Sequence, residues 1–447
     1  MNQRSVLEDV VLVSYHFPPD PAVGSLRAAK VARGFRDAGH RVDVVTARLP
    51  AETGLRRTGD PRLTVHPVTP LPSPRELVAR LKAWVHAARA VEKEVHGAGA
   101  DIHEWTPPIQ LTIWRRLFFA LLWLPDDRQG FIFPAWRMAR KIVRGGARLI
   151  YTTAPPYSPH LVGLGLSSLQ DVKWIMELRD PWADNRQKPW WVRTLATDRF
   201  DARLELLCLK RADLIVAASE GIRNRLAARL PARDASRLIV VRNGIESLAT
   251  SITQKRSPGP MRIAYAGTFY YGRDPRLFLR SLAAFCRHRQ IGPEQLRVDF
   301  VGACRSIGAV SVEKETSTLG LTDIIRFHDW LPHEDAKAFI AKADLLLLLA
   351  QHQPDQVPNK LYEYLGSRRP IMAFVDRDGE TARMLRHVGG HYVITDDDES
   401  SVESALQKAF LASERGDSTV TGETVLTEWT TEVQMKLLLD VVHGVKA

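Results

Sequence analysis

The stretch VPNKLYEYLGSRRPIM, residues 357–372, places Lys360 and Glu363 three residues apart, on one face of the first turn of a predicted helix. The segment ADLLLLLA before it reads as a buried strand, and QHQPDQVPN is the connecting loop that carries Asp355, with seven residues between Asp355 and Glu363. A helix start offers unpaired N–H groups and the positive end of a dipole, which suits a diphosphate. A carboxylate one turn further in can accept two hydroxyls of a ribose. The bland reading, a solvated helix start, stays open on these residues alone. No D-x-D stands at a strand end and no G-x-x-x-x-G-K-[ST] occurs, so neither a metal-dependent transferase nor a P-loop nucleotidase is favoured. The acidic run TDDDES (395–400) reads as a solvated loop.

These residues need a scaffold, and the chain supplies one twice. VVLVSY (10–15), RVDVVTA (41–47), RLIYTTA (148–154), KWIMEL (173–178), DLIVAAS (213–219) and LIVVRN (238–243) are apolar, β-branched runs that alternate with helical patterns. The polar, aperiodic stretch LATSITQKRSPGP (248–260) reads as a linker. Alternation then restarts with MRIAYAGTF (261–269), LRVDFVGA (296–303), IIRFHDWL (324–331), DLLLLLA (344–350), PIMAFV (370–375) and HYVIT (391–395), and a final helix is expected near 427–445. The pattern predicts an α/β chain of two doubly wound, Rossmann-like domains with parallel sheets. The first covers 1–249 and the second 258–424, with ligands bound outside the carboxyl ends of the strands in a cleft between the two.

At this point the chain resembles the retaining glycosyltransferases of the GT-B fold, glycosyltransferase family four. That family carries E-x7-E across a strand, loop and helix; this chain has Asp355 and Glu363, then GSRRPIM. VSYHFPPDPAVGSLRAAKVARGFRDAGHRVDVVTA is similar to the family's first βαβ unit. The resemblance implies that Glu363 holds the ribose and that Asp355 lies near the transferred sugar. Gly24 lets the backbone approach the ligand, or only makes the turn, and Arg27 sits at the following helix start. IAYAGTFYYGRDP is similar to the opening of the family's second domain, where an Arg follows the first Gly and a Lys comes a few residues later, both on the donor diphosphate. Here Thr268 follows Gly267, Arg273 stands near the Lys position, and Lys360 partly replaces the missing cation. ELRDPWADN falls where relatives place a pocket histidine, with Arg179 and Asp180 there and His160 in PPYSPHLVG nearby. Asp180 would position the acceptor hydroxyl, unless Arg179 and Asp180 pair to brace the loop. His328 to Leu331 would lie along the nucleobase, and the helix of 425–447 would complete the first domain.

The function so implied is transfer of a sugar, with retention, from a UDP- or GDP-type nucleotide sugar to a glycan or lipid-linked acceptor in bacterial surface polysaccharide biosynthesis. It implies no cofactor and no metal. A sugar-nucleotide epimerase of the same architecture and a non-catalytic glycan-binding scaffold are the rival classes.

Bulk properties fit. A chain of 447 residues suits two domains, and 45% hydrophobic with 25% charged residues is ordinary for a globular protein. Residues 1–250 hold 38 Lys and Arg against 25 Asp and Glu, while the remainder holds 24 against 26. The basic excess of the first part points to a polyanionic neighbour, or to the high Arg content of a GC-rich genome, which explains the asymmetry less well. Nucleic acid is disfavoured because no reading motif or aromatic platform accompanies the charge. WRRLFFALLWLP, with Arg115, Arg116, Trp114 and Trp123, and PAWRMARKIVRGG, with Arg137, Arg140, Lys141 and Arg144 on one helical face, suit a protein lying on an anionic leaflet or a helix packed on its own domain. Cys208, Cys286 and Cys304 lack metal-ligand spacing and fit a reducing cytoplasm. The apolar start DVVLVSYHF is too short for a secretory leader, and no run reaches spanning length.

Overall fold

The computed structural model describes residues 8–49, 56–57, 59–73, 76, 123–169, 171–183, 193–249, 259–270, 272–416 and 423–444. The apolar run 117–122 with Trp114, Arg115 and Arg116, and 250–258 of the expected linker, lie outside these residues. The chain forms two compact units, one of Met1–Ala218, Ile222–Val240 and Leu439–Ala447, the other of Ser219–Gly221 and Val241–Leu438.

In the first unit the order is β1 (Val10–Val13), α1 (Val23–Asp37), β2 (Val42–Ala47), β3 (Arg56–Arg57), β4 (Leu63–Val68), α2 (Ile132–Arg144), β5 (Leu149–Ala154), α3 (Ser158–Leu166), β6 (Lys173–Leu178), α4 (Leu195–Arg211), β7 (Leu214–Ala217), α5 (Glu220–Ala227) and β8 (Leu238–Val240). The sheet runs β3-β4-β2-β1-β5-β6-β7-β8 and is parallel except for β3. Strand order reverses at β1, which pairs with β2 on one side and β5 on the other. The pair β3–β4 was not expected; Pro67 within LTVHPV hides β4, since proline cannot donate to a ladder.

The second unit holds β9 (Met261–Ala266), α6 (Arg276–Arg289), β10 (Leu296–Val301), β11 (Ser306–Ile307), β12 (Val310–Ser311), α7 (Val312–Thr318), β13 (Ile325–His328), α8 (His333–Ala341), β14 (Leu345–Ala350), α9 (Asn359–Gly366), β15 (Ile371–Val375), α10 (Glu380–Val388), β16 (Tyr392–Ile394), α11 (Glu399–Arg415), α12 (Glu423–Glu428) and α13 (Thr431–Val442), whose last residues belong to the first unit. Its main sheet is parallel, in the order β13-β10-β9-β14-β15-β16, and reverses at β9. Successive strand side chains point to opposite faces. Thus Leu345, Leu347 and Leu349 of β14 enter one apolar core and Leu346, Leu348 and Ala350 the other, which is why this strand is apolar throughout.

Local chemistry sets the element ends. Thr194 caps α4 in a reciprocal box with Thr197. Asp398 accepts from the hydroxyls of Ser400 and Ser401 and from their N–H groups at the start of α11, and the hydroxyl bonds first, then the backbone ones, pull its carboxyl down to about 2. The acidic run at 395–400 therefore includes a helix cap and is not only a loop. The expected last helix is two helices, because Trp429 and Thr431 turn their backbone to Ile245. Among the described residues no helix is long and apolar enough to cross a membrane.

Candidate functional site: two clusters at strand ends

The reversal point of the second sheet gathers four of the predicted residues. Gly267 follows β9, and the loop after β14 leads to α9. At Gly267 a Cβ would fall 2.6 Å from Lys360 Cε and 3.1 Å from Nζ, so the ammonium lies directly over this backbone. Gly302, with φ +105, faces Gly267 from the end of β10; a Cβ there would meet the Gly267 carbonyl at 2.4 Å. Only glycine permits both the conformation and the approach. Cys304 Sγ donates to the Gly267 carbonyl at 3.3 Å, and burial pushes its thiol up to about 12.

Lys360 is half-buried in the first turn of α9. Burial lowers its pKa; Glu363 opposes that shift and Arg273 adds to it. Arg273 stacks on Tyr270, with its guanidinium carbon 4.6 Å from the ring centroid, and its Nε is buried without a hydrogen-bond partner among the described residues. Glu363 accepts from Asn359 Nδ2 at 3.0 Å. The N-cap of α9 is Pro358, without a side-chain cap and with no acid in the first turn. Two cations and an uncapped helix start thus surround a carboxylate, an arrangement that can hold a diphosphate and a diol. Gly366, which ends α9, answers a packing demand: a Cβ would sit 2.6 Å from the Ser247 carbonyl. Asp355 occupies the loop before α9 and is half-buried. His328 ends β13 with Nε2 2.7 Å from Asp299, and Trp330 beyond it is exposed.

The reversal point of the first sheet gathers Gly24, Arg27, His160, Arg179 and Asp180. A Cβ at Gly24 would fall 3.0 Å from an Arg179 guanidinium nitrogen. Arg179 donates to the carbonyls of Ala154 and Pro155, and Asp180 beside it is half-buried. Arg27 is buried, and its Nε and a terminal nitrogen reach Glu177 Oε1 at 2.8 and 2.7 Å. Thr153 donates to the other Glu177 oxygen at 2.6 Å. Burial alone would raise the Glu177 pKa, but Arg27, Thr153 and Arg179 together lower it, so the carboxylate is charged. Arg27 therefore braces β6 and does not present its charge to an acceptor.

His160 lies near Arg179 but is wholly buried, with Nδ1 2.8 Å from Thr152 Oγ1 and its ring 6.0 Å from Trp182. Burial first, then Arg179, lowers its pKa from 6.5 to about 3. The folded protein therefore refuses a proton that the unfolded chain accepts between those values. Its contribution to stability is full above pH 6.5 and is lost as pH falls towards 3. Unfolding free energy measured against pH should fall about 1.4 kcal/mol per unit more steeply in the wild type than in His160→Asn across this window. Equal slopes would show that His160 does not titrate with folding.

Among the described residues no three His, Cys, Asp or Glu side chains group to hold a metal ion. Glu177, Thr153 and the place of Cys304 beside Gly267 are not legible as site residues from motif spacing. For Glu177 a signal existed: an acid inside the otherwise apolar KWIMEL demands a buried cation.

The sequence profile described as the glycosyl transferase 4-like domain matches residues 24–244, from the α1 glycine through all the first-unit residues above. This part of the chain belongs to that family. The protein is a glycosyltransferase, and solved structures show that the likeness in fold extends over nearly all of it. Sucrose-phosphate synthase from Thermosynechococcus elongatus is 14% identical over 98% of both chains, with a TM-score of 0.62. HepE from Anabaena, in complex with UDP-glucose, is 13% identical over 98% of this chain and 100% of its own, with a TM-score of 0.62. An α,α-trehalose-phosphate synthase from Burkholderia xenovorans, in complex with glucose-6-phosphate, is 14% identical over 98% and 100%, with a TM-score of 0.60. No curated protein matches the sequence. At these identities the likeness establishes the fold, which is the expected GT-B.

Proposed function

We propose that this glycosyltransferase moves a sugar from a nucleoside diphosphate sugar, of the UDP type first and GDP second, to a glycan or lipid-linked acceptor, with retention, in surface polysaccharide assembly. The second unit would hold the donor. Lys360, Arg273 and the α9 start would bind the diphosphate and offset its charge as the nucleotide leaves, with Glu363 on the ribose and Asp355 beside the sugar. The first unit would hold the acceptor at the β1, β5 and β6 ends, with Asp180 positioning its hydroxyl. Binding of UDP-glucose by HepE supports the choice of base. A basic, partly apolar α2 supports work at the inner face of a membrane.

The observation that carries the reading is the buried, unpartnered Nε of Arg273 beside Lys360: a polar group left so is costly unless a ligand completes it. UDP at a hundred times its Kd should stabilise the protein by about 2.7 kcal/mol, read as a rise in Tm. No shift with UDP or GDP would overturn the reading, and turnover of the nucleotide sugar into its epimer without an acceptor would replace it.

A further inference from the structure

The helices α2, α3 and α4 form one layer on one face of the first sheet, since α3 packs against both α2 and α4. The inward side of the layer is unexceptional: Ala135, Ala139 and Val143 of α2 and Cys208 and Leu209 of α4 enter the core. The outward side is not. At 100° per residue, Arg199, Phe200, Arg203, Leu207 and Lys210 of α4 fall within an arc of roughly 100°. All five are exposed, Phe200 to 50% and Leu207 to 44%, and Leu195 at the helix start is 77% exposed. On α2, Phe133 is 58% exposed on the same stripe as Arg137, Lys141 and Arg144. Arg140 lies over the Trp136 ring at 4.9 Å.

The signs of charge on this layer are one-sided. Each of α2 and α4 has four cations, Arg211 completing the set on α4, and none pairs with a carboxylate among the described residues. Helices α2 and α3 contain no acid. The acids of α4 point away: Asp201 and Glu205 are buried, and Asp198 is half-buried on the opposite side of the helix.

We infer that the outer face of the α2–α3–α4 layer docks on an anionic lipid bilayer. Cations and bulky apolar side chains interleaved on surface helices match phosphate headgroups and the acyl boundary beneath them. A second copy of this chain fits poorly, because an isologous dimer would set the patch against itself, cation to cation. Nucleic acid would leave the exposed leucines and phenylalanines without a partner. The inference deepens the proposed work at a membrane, but the surface chemistry stands apart from the transferase reading.

The test is co-sedimentation of the full chain with vesicles of phosphatidylcholine alone or with one part in three of phosphatidylglycerol. The protein should pellet only with the anionic vesicles. Arg199→Glu/Arg203→Glu/Lys210→Glu should weaken this by roughly a hundredfold or more, at about fivefold per cation lost. Phe200→Ser/Leu207→Ser should weaken it at least several-fold with Tm unchanged. Wild-type protein that ignores anionic vesicles, or variants that bind as it does, would overturn the inference. So would dimerisation or RNA binding abolished by the same substitutions. UDP affinity measured on the same samples separates the two readings, since its loss or retention does not depend on α4.

Discussion

Glu177→Gln should destabilise the first unit by about 3–5 kcal/mol, the cost of leaving a buried charge without its counter-ion. The substitution keeps shape and volume and removes only the charge. Arg27 has its Nε and one terminal nitrogen on Glu177 and is a buried residue of α1, so it cannot turn to water. Thr153 loses its acceptor in part, since it donates to the second oxygen. The loss should appear as an earlier urea midpoint for the first-unit transition, while UDP affinity stays at the wild-type value. The pairing itself is tested by Arg27→Met/Glu177→Leu, which removes both charges. A buried ion pair replaced by apolar groups of similar volume is often neutral, so the double variant should recover most of the loss. If Glu177→Gln alone is harmless, the carboxylate is not held charged.

Much of this architecture was legible because a buried parallel strand leaves a plain trace. LLLLLA, a six-residue apolar run that stops at a proline-containing loop, reads as a strand covered on both faces, and its alternate leucines do enter two cores. The start of α9 was legible for the same reason, a strand followed by a loop and a periodic helix. What escaped detection depends on neighbours far away in sequence. Pro67 masks β4, whose place is fixed by its pairing with β2. The partnership of Arg27 and Glu177 spans 150 residues and rests on the register of β5 and β6. Helix α4 has apolar residues on both faces, so its periodicity is weak and its outward side cannot be read from pattern. Gly24, Arg27, His160 and Arg179 all follow strand ends in the sequence, yet which of them is buried depends on the depth of each loop. That quantity has no signature in composition.

Lys360→Met should lower affinity for a nucleoside diphosphate by roughly 10- to 100-fold, in line with the loss of a charge-assisted hydrogen bond. It should not lower stability. In the free protein the Lys360 ammonium is held over Gly267 at a cost, since burial depresses its pKa and Arg273 repels it. A thioether of similar length fills the same space without that cost, so Tm should stay level or rise. This opposition separates a binding role from a structural one: a lysine that merely supports α9 would lose both together. Glu363→Gln provides the companion case. The amide keeps the length of the side chain and can still accept from Asn359, so folding should be unaffected. The weakened acceptor for the ribose hydroxyls should raise the donor KM about tenfold or more, and the change should vanish for a donor analogue lacking those hydroxyls. Calorimetry on both variants, read beside their melting curves, decides the matter. Affinity and stability falling in step would remove Lys360 from the donor site, and an unchanged KM in Glu363→Gln would remove the carboxylate.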